Sequence, residues 1–162
     1  MSQDHDNTTK CQENLKHIKF MEEALFEADK AMKHNEVPVG AVVVYNDEII
    51  ARAHNTREHS NQFHGHAEFL AMLKAQEVLG DWRLESCDVY VTLEPCPMCA
   101  GAMIQSRVKN VYYGAKDPKA GAVESKIKLF NSDFNHQVHA CGGILEEASK
   151  IRLKTFFKEL RK

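Results

Sequence analysis

Two short stretches carry side chains that could hold a metal ion, "HGHAEFLAM" at residues 64–72 and "LEPCPMCAGAM" at residues 93–103. In the second, Cys96 and Cys99 are three residues apart. With Pro97 as first helical residue, both thiols lie on one face of the first turn. The positive end of the helix favours thiolates, the form that binds zinc. Alone, the pair reads equally as core cysteines, a redox pair or half a zinc site. His66 and Glu68 are also ambiguous alone, because two positions apart on a regular helix point about 200° from each other. The conflict vanishes if His66 sits at the helix start, before its dihedrals are helical, and Glu68 reaches back. Joined, H-x-E and P-C-x-x-C, with Pro95 in place, form a specific pattern at two helix N-termini on one edge of an α/β sheet.

The ligand count sets the chemistry. A structural zinc site has four protein ligands, whereas a catalytic one has three and leaves the fourth position to water. His66, Cys96 and Cys99 supply three, and Cys87, Cys141 and His64 read as non-ligands. Glu68 stays uncoordinated and can carry protons from the water to a ring nitrogen and then to a departing amine. The chemistry expected is hydrolytic deamination of an amidine-like carbon in a nucleobase.

Several elements must place these groups. Leu15, Ile18, Met21, Leu25, Ala28 and Met32 recur at steps of three and four, which predicts an amphipathic helix. "VPVGAVVVY" and "EIIARA" around "ND" predict a β-hairpin. A helix is expected from about His66 to Leu79, closed by Gly80. "DVYVTL", "NVYYGA" and "HQVHA" read as strands, "PMCAGAMIQS" as a short helix, and residues 144–160 as a final helix with Leu145, Ala148, Ile151, Phe156 and Leu160 on one side. The alternation predicts an α/β sheet covered by helices on both faces.

The 162 residues suit one domain, expected over 13–162 after a flexible tail at 1–12. No apolar run reaches the roughly 18 residues of a membrane span, so no membrane partner is expected. The acidic, polar start lacks the pattern of a secretory or mitochondrial leader, which points to the cytoplasm. Five cysteines with one close pair argue against disulfides. Charge is uneven: residues 1–106 hold 9 Lys/Arg against 17 Asp/Glu, and residues 107–162 hold 12 against 6. The C-terminal third could face phosphates.

From about residue 16 to 161 the chain resembles the bacterial tRNA wobble-adenosine deaminases, a branch of the zinc-dependent cytidine/deoxycytidylate deaminase superfamily. The stretches that carry the resemblance are "NEVPVGAVVV", "ARAHNTRE", "HAE", "GDWRLESCDVYVTLEPCPMCAGAMIQSRV", "VYYGAKDPKAGA", "FNHQV" and "FFKELR". It implies a homodimer of three-layer α/β/α subunits with a mixed, central five-stranded sheet. The implied activity is conversion of adenosine to inosine at the wobble position of a tRNA anticodon, typically of an arginine tRNA. One zinc per subunit would be held by His66, Cys96 and Cys99, with Glu68 as proton shuttle. Asn55 would hold the target nucleotide, Asp117 and Lys119 would lie by the flanking bases, and Arg161 would contact RNA. Two positions depart from the branch: His64-Gly65 stands where Thr-Ala is usual, and Pro97 where Val is frequent. "PCPMC" also occurs in guanine and cytosine deaminases that act on free bases, which supplies the alternative reading. A third, from another class, is a catalytically silent, zinc-stabilised RNA-binding module.

Overall fold

The computed structural model describes residues 8–161. The hairpin signal is realised as β2 (Gly40–Tyr45) and β3 (Glu48–His54), joined through Asn46 and Asp47, both with positive φ. That left-handed pair is what a two-residue turn needs to match the twist of its strands. Beside it lie β4 (Cys87–Leu93), β5 (Asn110–Ala115) and β6 (His139–Gly142). The sheet runs β6-β5-β4-β2-β3, with β2 antiparallel to both neighbours and the remaining pairs parallel. This is the expected mixed five-stranded sheet. A sixth strand, β1 (Thr8–Lys10), adds parallel to β6, inside the segment expected to be a flexible tail. Residues 1–7 of that segment lie outside the described residues.

Helices cover both faces because alternate strand residues point opposite ways. Val42, Val44 and Tyr90 pack with Phe20, Met21 and Ala24 of α1 (Leu15–Lys33) and with Ile144. Ala41, Val43, Val89 and Val91 pack on the other side, with Ala67, Ala71, Met72 and Ala75 of α3 (Ala67–Leu79) and Ala100 and Met103 of α4 (Pro97–Gln105). A one-turn helix, α2 (Arg57–Ser60), precedes α3, and α5 (Glu146–Leu160) lies on the side of α1.

Three expectations are corrected. Cys11 and Cys141 form a disulfide, tying the end of β1 to β6. The strand read from "HQVHA" begins only at His139, where pairing with Asn110 starts; the His136 ring instead hydrogen-bonds the Val108 carbonyl. In α5 the buried side is not the apolar stripe: Ser149 is buried, Ile151 and Leu160 face solvent, and Leu145 precedes the helix with positive φ. Arg152 on this helix donates from Nε and Nη2 to both Asp29 oxygens on α1, at 2.7 and 3.3 Å.

Candidate active site

The path from β3 through α2 to α3, and the short connection from β4 to α4, bring the two motifs together. His66 is the N-cap of α3 with extended backbone (ψ 141°), and Cys96 is the N-cap of α4 (ψ 173°). His66 therefore escapes the helical phase that would turn it away from Glu68. Neither cap position is filled by its own side chain, which leaves the imidazole and thiol available to a ligand. Asn55 supplies part of what α3 lacks: its carbonyl Oδ1 accepts the Ala67 N–H at 2.8 Å.

His66 Nδ1 lies 3.6 Å from Cys96 Sγ and 3.5 Å from Cys99 Sγ. A tetrahedral ion bound at about 2.05 Å to nitrogen and about 2.3 Å to sulfur separates those donors by about 3.6 Å. The three donor atoms all lie within 4.8 Å of one another, and no other such group of three occurs among the described residues. The donor set and its spacing fit a zinc-like ion.

The expected non-ligands lie elsewhere. Cys87 is buried at the start of β4, its thiol pushed up to about 11 by burial. Cys141 is in the disulfide, and the His64 ring packs beside Phe63 and Phe69.

Electrostatics inside the cluster is uneven. The hydrogen bond from Cys99 draws the Cys96 thiol down to about 4, against burial and with help from His66. That same contact, with burial, pushes Cys99 up. The Cys96 hydrogen bond raises the His66 imidazole. Glu68 is only 4% exposed, and burial pushes its carboxyl up to about 7. An acid in that range can both give and take a proton near neutrality.

A cavity of about 530 Å³ opens onto this cluster. Asn55, His66, Glu68, Cys96, Asp117 and Lys119 all line it, whereas Cys99 is buried behind and Arg161 sits at the exposed end of α5, away from it. Asp117 also serves its own turn, its Oδ1 accepting the Lys119 and Ala120 N–H groups at 3.1 and 3.2 Å.

Sequence reading missed other lining residues, among them Arg57, Leu93, Glu94, Lys116, Leu153 and Phe157. "FFKELR" was the available signal for Phe157. Nothing in the local pattern marked Arg57. The cavity thus offers cations at its rim, an apolar wall from α5 and a buried acid beside three metal donors, the makings of a pocket for a flat heterocycle on a phosphate backbone.

Comparison with known proteins shows the family. The MafB19-like deaminase family matches residues 15–161. The tRNA-specific adenosine deaminase of Bacillus subtilis (strain 168) is 52% identical over 144 residues, covering 88% of this chain and 89% of the relative. That of Rickettsia typhi (strain ATCC VR-144 / Wilmington) is 46% identical, covering 87% and 97%. A structure solved in a study of A-to-I editing by tRNA:A34 deaminases at the wobble position superposes with a TM-score of 0.81 at 44% identity, covering 83% of this chain and 99% of that one. With matches that run nearly end to end in both directions, this chain belongs to the MafB19-like deaminase family and, within it, to the tRNA-specific adenosine deaminases.

Proposed function

We propose that this enzyme hydrolytically deaminates adenosine to inosine at the wobble position of a tRNA anticodon, and that an arginine tRNA is its substrate. The observation that carries the reading is the buried Glu68 carboxyl beside a three-donor metal cluster at the floor of a cavity with Lys119, Lys116 and Arg57 on its walls. His66, Cys96 and Cys99 would hold one zinc ion. When bound there, zinc would supply an acidified water as the nucleophile. Glu68 would carry one proton from the attacking water to a ring nitrogen and a second, from the newly added hydroxyl, to the amine as its C–N bond breaks and ammonia leaves. Its burial keeps bulk water from competing for the proton.

Asn55 holds the target nucleotide. Its Oδ1 is committed to Ala67, so its amide NH₂ is the group left to donate to a base or ribose. Lys119 and the turn held by Asp117 flank the neighbouring bases, and Arg161, exposed on the last turn of the structure, meets the phosphates further out.

The partners are an anticodon stem-loop and a second copy of the chain. The dimer reading is supported by an apolar groove of about 280 Å³ between α3 and α4, where Leu73 is 46% and Trp82 50% exposed. No helix among the described residues is long and apolar enough to cross a membrane, and a tRNA substrate supports the reading of a cytoplasmic enzyme.

The test is nucleoside mass spectrometry of an anticodon stem-loop before and after incubation, with light scattering to weigh the enzyme. Inosine at the first anticodon position and a dimer mass are expected. Turnover of free guanine or cytosine with none on RNA would overturn the substrate assignment.

A further inference from the structure

Glu94 takes no part in the proton path, yet it is 2% exposed and fully engaged. Its Oε1 accepts the Asp117 N–H at 3.0 Å, and its Oε2 accepts those of Val123, Glu124 and Ser125 at 3.1, 2.8 and 2.9 Å. The Ser125 hydroxyl donates to Oε1 as well. Next to it, the Pro95 carbonyl accepts the Ala122 N–H at 2.8 Å.

Residues 94 and 95 thus strap a loop to the chain immediately before Cys96. The same loop presents Asp117, Lys119 and Ala120 to the cavity. Gly121 closes the strap: a Cβ there would lie 2.3 Å from Glu94 Cδ, so only glycine lets the carboxylate sit against the loop. A buried carboxylate is costly to desolvate, and ladder bonds alone could have closed an ordinary loop. What the charge adds is a fixed distance between the metal-binding turn and the opposite cavity wall.

We propose that Glu94 is a positioning residue for RNA binding: it sets the Asp117–Ala120 wall relative to the Cys96 turn, so that the flanking nucleotides meet Asp117 and Lys119 while the target base meets Glu68. The proposal rests on the reading of this cavity as the anticodon site. The full-length enzyme with Glu94→Gln replaces one oxygen by an NH₂ that faces N–H donors, and Gly121→Ala displaces the loop from the other side with the carboxylate intact.

Steady-state kinetics on an anticodon stem-loop, zinc content and amide exchange of residues 117–125 would be measured for both. Expected are a KM raised about tenfold or more, a kcat within about threefold of the parent, one zinc per subunit and faster exchange confined to the loop. An unchanged KM, a fall in kcat alone, or loss of zinc in both variants overturns the proposal. Should one variant fail to fold, the other carries the test. A parent enzyme that neither binds nor edits the stem-loop sinks the functional reading instead, and amide exchange then decides the strap on its own: unchanged exchange in both variants overturns it.

Discussion

Glu68 stands where a carboxylate is expensive, and that expense is informative. Burial disfavours the charged form and pushes its carboxyl up to about 7, against the opposing pull of His66. Glu68→Gln keeps the shape and cannot carry a proton, so turnover on the stem-loop should fall by about 10³-fold or more. Zinc content and thermal midpoint should hold; inosine formed at the parental rate would rule out the shuttle. At this scale the candidate donors His66, Cys96 and Cys99 were legible because each motif's local spacing sets it at a helix N-terminus, and the structure brings the two motifs within reach of one another. Asn55 and Asp117 were half legible: each lines the cavity, but Asn55 also accepts the Ala67 N–H at the start of α3, and Asp117 also holds its own turn. Glu94 was not legible, since the amides it gathers lie 23 to 31 residues downstream and no period in the sequence links them.

Among the elements, α1 is anchored by more than its apolar face. Near its start His17 Nδ1 lies 2.7 Å from the Tyr90 hydroxyl, and its ring packs 4.2 Å from that of Tyr112, joining the helix to β4 and β5. Burial, with the Lys16 charge adding to it and Asp88 opposing, holds this imidazole below its ordinary value. The folded state therefore binds the proton less readily than the unfolded chain does. The stability His17 contributes is present above about pH 6.5 and is lost as pH falls through the lowered value. Thermal melts between pH 7.5 and 5 should show a midpoint falling toward acid, and His17→Phe should flatten that slope; an equal slope in both proteins would refute it. Periodicity located α1, α3 and α4, and β-branched runs located β2 to β5, because each has one face or both in the core. It misjudged α5, whose apolar residues serve the cavity and the solvent side while Arg152 and Ser149 face inward.

For the molecule as a whole, the sheet's two edges are treated differently. β3 closes one side with the tight hairpin and a rim that includes half-exposed Arg52, ion-paired to Glu23 and Glu27. The other side ends on β1, whose Thr8, Thr9 and Lys10 are in register with Ala140, Cys141 and Gly142, and the Cys11–Cys141 disulfide fastens it there. Composition alone could not foresee this, because three polar residues carry no β signal until a neighbouring strand supplies the ladder. Without β1 the backbone of β6 would be bare, a template onto which foreign chains can crystallise strand by strand. Deleting residues 1–11 should therefore leave catalysis intact while turning a clear solution cloudy on warming, read as rising light scattering against a flat trace from the complete chain. Two flat traces would mean that the short N-terminal strand guards nothing. If the expected contrast appears, β1, none of whose residues lines the cavity, governs the enzyme's shelf life and colloidal behaviour.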